Sequence, residues 1–138
     1  PVPQRALIVG DGIAGLGAAI MLARAGWRVD VAAARAGKSA SHRQHAHLTS
    51  AAAMAQLEAN LGGALSGWAM GSAVVWDEAG RRDEGERPIL CAEALRRSLA
   101  GHAARSGMSW HDAMAVTPLT DAAGWHWRAG AMAGIADV

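Results

Sequence analysis

Residues Arg5 to Arg35, RALIVGDGIAGLGAAIMLARAGWRVDVAAAR, constrain this chain more than any other stretch. An apolar run, Ala6 to Val9, leads into a glycine-rich turn. A long apolar-periodic segment follows, closed by Gly26, and then a second apolar run, Arg28 to Ala33. That order reads as strand, turn, helix, strand. The glycines fall in a GxGxxG spacing at Gly10, Gly12 and Gly15. Gly10 and Gly12 let the chain turn tightly and bring backbone amides toward a pyrophosphate, and Gly15 lets the helix lie close to the strand. The helix N-terminus then faces an anion with amides that have no acceptor within the helix. Gly10, Asp11, Gly12, Ile13, Ala14 and Gly15 are therefore the candidate dinucleotide-binding residues. Ala19, one turn after Gly15, is small enough for the same close packing. The competing reading is an ordinary β-α-β unit with no ligand.

One part of the fingerprint is missing. Dinucleotide sites place an acid about 20 residues on, at the end of the second strand, where it accepts hydrogen bonds from the adenosine ribose. Here that strand ends in Ala32, Ala33 and Ala34. Asp30 lies mid-strand and alternates away from Val29, Val31 and Ala33, which makes it a poor substitute. Charge-assisted hydrogen bonds contribute about 1.5 to 3 kcal/mol each, so this loss lowers the expected affinity by tenfold or more. Arg35 offers a different solution, because an arginine beyond this strand suits the 2′-phosphate of NADP.

The 138 residues amount to one domain's worth of chain, 51% of them hydrophobic, enough to form a core. With no Phe or Tyr, bulky packing falls to six Trp, six Met and the aliphatic residues, and the core is expected to be thin. A thin core suggests self-association, a partner chain or a missing piece. A formal charge of +1 gives no reason to expect nucleic acid or an anionic membrane as partner. The single cysteine, Cys91, excludes an internal disulfide and a CxxC site. No run approaches the ~18 apolar residues of a membrane span. The glycine spacing argues against reading the N-terminal stretch as a signal peptide, and the chain reads as cytoplasmic.

Beyond the turn, Ala36 to Ser50 is polar and without period, a loop containing His42, His45 and His47. No carboxylate or cysteine accompanies these histidines, so no metal site is assigned. Thr49 or Ser50 caps a helix to about Leu61, with Met54, Leu57 and Leu61 on its apolar face and Gly62-Gly63 ending it. Ala73 to Trp76 reads as a short strand before a solvated charged turn. Pro88 is expected to open a helix to about Ser106, with Leu95, Leu99 and Ala103 on one face and Glu93 paired to Arg97. Met108 to His111, Met114 to Leu119, Trp125 to Arg128 and Ile135 to Val138 read as strands. Trp125 and Trp127 share a face and are assigned to the core. The order suggests a parallel nucleotide-binding sheet carrying an antiparallel meander.

The stretch IVGDGIAGLGAAIMLARAGWRVDV resembles the opening fingerprint of the flavin-dependent monooxygenases of the aromatic hydroxylase group. RQHAHL is similar to an RxHxHLL-type segment of one subgroup, and ERPILCAEALRRSLAGHAARSGMSWHD resembles the family's second conserved region, with Leu95 one residue late. The resemblance implies an α/β, Rossmann-like, three-layer FAD/NAD(P)-binding fold, a parallel sheet with an antiparallel meander. It implies FAD as cofactor, NAD(P)H as co-substrate, and O₂-dependent hydroxylation of a small organic molecule. The family's fingerprint arginines fall on Arg43 (or Gln44) and Arg87, and its ribose acid and following arginine on Ala33 and Ala34. The resemblance further implies that residues 1–138 are an N-terminal FAD-binding portion, incomplete at the C-terminus, without the later DG and GD motifs or a substrate domain, and inactive alone.

His111 and Asp112 are adjacent, which does not place them on one face of a strand, so no catalytic acid, base or nucleophile is assigned. The sequence also admits two other readings. One is an NADP-binding oxidoreductase domain, from Ala33 and Arg35. The other is a non-catalytic remnant or subunit, from the thin core.

Overall fold

The computed structural model describes residues 2–34, 46–73, 78–80, 87–112, 115–121 and 124–137. The chain divides into two units, Pro1–His42 with Leu99–Val138, and Arg43–Ser98.

In the first unit, β1 (Arg5–Val9), α1 (Ile13–Arg24) and β2 (Arg28–Ala33) form the expected β-α-β motif. β2 lies between β1 and β6 (Ser109–Asp112) in a parallel sheet of order β1-β2-β6. Strand alternation gives this sheet two different faces. Val29 and Val31 join Ala19 of α1 in one core, together with Ile8, Leu22 and Met108. Leu7, from the opposite face of β1, packs instead on Trp127, Ala129 and Ala136. These last residues belong to an antiparallel meander, β7 (Thr117–Asp121), β8 (Gly124–Ala129) and β9 (Met132–Ala136). Helix, parallel sheet and meander are thus three layers, an α/β Rossmann-like fold of the expected kind.

The meander is anchored where it returns to the sheet. Asp137 N donates to Arg5 O at 2.8 Å, and Arg5 N donates to the Asp137 carboxylate at 2.8 Å. The apolar content of this layer is less symmetrical than alternation suggests. Trp127 is buried, but Trp125 is 54% exposed and is not a core residue. Sharing a face is not enough here: Trp125 pairs with Thr120 and Ala136 one rung further along the ladder, where it is left uncovered.

The second unit contains α2 (Ala51–Leu61) and a sheet of order β3-β5-β4, built from β3 (Ala46–Leu48), β4 (Ala69–Ala73) and β5 (Arg87–Cys91). α2 begins as expected. Ser50 is its N-cap, accepting from Ala53 N at 3.0 Å, and Gly62 ends it in the left-handed conformation, φ 72°. Met54 and Leu61 are buried, whereas Leu57 is only partly covered.

Pro88 does not open a helix. It is the second residue of β5, and α3 (Ala92–Arg105) starts four residues later. The segment RPILC is drawn into a central strand because both neighbours bond to it: Leu90 pairs with His47 on one side and Ala69 on the other. Proline is tolerated next to the strand end and close to the bulge at Ala69/Gly71. β3 likewise falls inside the stretch read as a loop, since a three-residue strand has no detectable period. The strand expected at Ala73 to Trp76 lies earlier, at β4, and residues 74–77 are outside the described residues. Along α3, Leu95, Leu99 and Ala103 are buried at 2%, 0% and 0%. Glu93 engages Arg96 at 2.9 and 3.0 Å, a closer partner than Arg97 at 4.0 Å.

Candidate functional site

The six candidate residues Gly10 to Gly15 form the link from β1 into the first turn of α1, at the carboxyl edge of the parallel sheet. Gly10 N donates to Ala32 O at 2.8 Å, so the turn is tied to the end of β2. Gly12 is the N-cap of α1, in extended conformation, and no side chain caps the helix. The first intrahelical bond runs from Leu16 N to Gly12 O at 2.9 Å. The amides of Ile13, Ala14 and Gly15 therefore lead the helix without acceptors from its own backbone, and the positive end of the dipole lies beside them. This is the arrangement that receives a phosphate.

The fold makes different demands on the three glycines. Gly10 has φ 98°, a conformation that side chains rarely adopt. Gly15 is needed for packing: a Cβ there would lie 2.9 Å from Gly10 O and 3.3 Å from Ile8 Cγ2. Gly12 has an ordinary φ of −70°, and a Cβ there would meet nothing within 4 Å. The folded chain itself does not need a glycine at position 12. A ligand seated on the backbone would.

At the end of β2, Ala33 occupies the position where a ribose acid is expected. Asp30 is not available in its place, because its Oδ1 lies 2.6 Å from His111 Nε2 on β6. The two side chains are 23% and 22% exposed. The His111 ring in turn rests against Trp127, with centroids 5.1 Å apart and planes at 59°. The sequence contains no sign of this grouping. It depends on β6 being the neighbour of β2, and periodicity within one strand says nothing of strand order.

Arg35 and Arg43 lie outside the described residues, as do His42 and His45. Arg87 is the exposed first residue of β5, paired with Ala73 in the second unit. Among the described residues, no three His, Cys, Asp or Glu side chains converge as a metal site would require. None of the helices there is long and apolar enough to cross a membrane. A shallow depression of about 280 Å³ lies on the meander, lined by Leu119, His126, Arg128 and Ala133 among others. None of its lining residues belongs to the glycine turn.

No family model matches the sequence, and no match was found among curated proteins. Solved structures do match. The peptidyl tryptophan dihydroxylase QhpG, essential for tryptophylquinone cofactor biogenesis, superposes with a TM-score of 0.70 and 26% identity over 98% of this chain. 2-Methyl-3-hydroxypyridine-5-carboxylic acid oxygenase matches over the whole chain with a TM-score of 0.66 and 22% identity. CtdE in complex with FAD matches over 98% with a TM-score of 0.69 and 22% identity. The chain spans 30%, 38% and 37% of those three chains, about a third of each. These likenesses give the chain the fold of part of a dihydroxylase, an oxygenase and an FAD-bound protein, in keeping with the flavin-dependent group its opening stretch resembles.

Proposed function

We propose that this chain is the FAD-binding portion of a flavin-dependent monooxygenase, with residues 1–138 acting as one FAD-binding unit. The observation that carries the reading is Gly12. It is the one fingerprint glycine that neither backbone conformation nor packing requires, and it stands where a pyrophosphate would approach the uncapped end of α1. In this reading the amides from Gly12 to Gly15 hold the pyrophosphate, Gly10 and Asp11 shape the turn, and Ile13 and Ala14 contribute only backbone. Arg43 and Arg87 are assigned to the cofactor by family resemblance, and Arg35 to the edge of the adenosine site.

Bound FAD would supply the redox chemistry, with NAD(P)H as reductant and a small organic molecule as the species hydroxylated. The protein's share is to bind and orient the cofactor. Because the chain spans about a third of the oxygenases it matches, the proposal for these 138 residues is binding without turnover. A single cysteine suits work in a reducing cytoplasm. Self-association, or cover from a partner chain, would complement a core without Phe or Tyr.

The test is an FAD titration of the parent chain and of Gly12→Ala, followed by flavin fluorescence. Saturable binding by the parent and at least tenfold weaker binding by the variant support the reading. Equal affinity for both would place FAD elsewhere and refute it. Ala33 favours a second reading, an NADP-binding oxidoreductase domain. Competition among FAD, NAD and NADP separates the two, and an NADP preference lost on Arg35→Ala would select the second.

A further inference from the structure

The proposed dinucleotide site leaves the adenosine ribose without the carboxylate that such sites place at the end of the second strand. Ala33 cannot provide it, and the acid of β2, Asp30, is held by His111. The adjacent strand has what β2 lacks. β6 runs parallel to β2 with Ala33 paired to Asp112, the last residue of β6. Neighbouring strands lie about 4.8 Å apart, and paired residues of parallel strands direct their side chains to the same face. Asp112 therefore stands at the same carboxyl edge as Ala33, one strand along. That edge is where open α/β sheets bind their ligands. Asp112 is exposed, and it already takes part in a contact within the protein, which ribose hydroxyls would join or replace.

We infer that Asp112 serves in place of the missing β2 acid, its carboxylate accepting hydrogen bonds from the 2′- and 3′-hydroxyls of the adenosine ribose. This rests on the dinucleotide reading of the glycine turn and specifies its ligand class. A carboxylate at this point attracts ribose hydroxyls and repels a 2′-phosphate, so the site takes an unphosphorylated adenosine dinucleotide such as FAD. It argues against NADP.

The experiment is calorimetric titration of the 138-residue chain with ADP, 2′-deoxy-ADP and 2′-phospho-ADP. Asp112→Ala, Asp112→Asn and the double variant Asp112→Ala/Ala33→Glu are titrated in parallel. The parent should bind ADP about tenfold more tightly than either analogue, as expected for loss of one charge-assisted hydrogen bond. Asp112→Ala should bind ADP and 2′-deoxy-ADP alike, Asp112→Asn should retain part of the preference, and Ala33→Glu should restore it. The assignment is overturned if Asp112→Ala keeps the parent's preference, or if the parent binds ADP without discriminating the 2′-hydroxyl; either result leaves the glycine turn intact as a phosphate site. A parent that binds no ADP refutes the dinucleotide reading itself, and this inference with it.

Discussion

Asp30 of β2 and His111 of β6 meet at 2.6 Å on the face of the parallel sheet that receives the meander, with the indole of Trp127 against the imidazole. The pair joins two strands that lie 81 positions apart in sequence. A partly buried hydrogen bond to a charged group contributes about 1.5 to 3 kcal/mol, and the remaining exposure of both side chains reduces that to about 1 to 2. Asp30→Ala and His111→Ala should each lower stability by that amount in urea unfolding. The double variant should lose less than the sum of the two, because the interaction is removed only once. Strict additivity would show that the two residues act separately.

The glycine turn should divide cleanly between fold and ligand. Gly15→Ala forces a methyl to within 2.9 Å of the Gly10 carbonyl and should cost about 1 to 3 kcal/mol by thermal unfolding. Gly12→Ala meets open space and should remain within about 1 kcal/mol of the parent. Comparable destabilisation by both would mean that Gly12 has a packing role the structure does not show.

Gly134 and Trp127 form a second tight contact, inside the meander. They are partners on β9 and β8, and a Cβ on Gly134 would lie 2.5 to 2.6 Å from the indole. Trp127 is 4% exposed, so the ring has little room to move. Its Nε1 is buried with no acceptor among the described residues, so truncation to Phe forfeits no hydrogen bond. Gly134→Ala should cost about 1 to 3 kcal/mol in the parent and clearly less in a Trp127→Phe background. Equal costs in both, measured by chemical denaturation, would show that the indole is not what the methyl meets.

Glu93, near the start of α3, carries a pH dependence of known sign. Its hydrogen bonds from Arg96 hold the carboxyl below its ordinary pKa, against a smaller opposing effect of burial. A carboxyl lowered in the folded state stabilises it above the unfolded pKa, and that contribution disappears as pH falls through the folded value. Glu93 is 41% exposed, so Glu93→Gln should cost no more than about 0.5 kcal/mol at pH 7. Its melting temperature and the parent's should converge as the pH is lowered below the carboxylate range, and a gap that widens on acidification would reverse the assignment.

What the sequence shows about this fold follows the range of the interactions involved. The β1-α1-β2 unit, the Ser50 cap, the Gly62 stop and the Leu95-Leu99-Ala103 face are written in residues a few positions apart, and the structure has each of them. β5 was not legible as a strand. Pro88 after a charged run mimics a helix start, and only pairing with β3 and β4 makes RPILC extended. The burial of Trp127 and the exposure of Trp125 are equally invisible to alternation, since both lie on one face and differ only in what covers them. For the site, the pyrophosphate turn is local and readable. The neighbours of Ala33 and Asp30 are not, because they arrive on β6 some 80 residues later.

Binding of a dinucleotide pyrophosphate by the backbone from Gly10 to Gly15 is tested most directly by an amide NMR titration of the ¹⁵N-labelled chain with FAD. Saturable shifts at Gly12, Ile13, Ala14 and Gly15, weakened in Gly12→Ala, are the result predicted. Shifts confined to other residues, or none up to millimolar FAD, would contradict it.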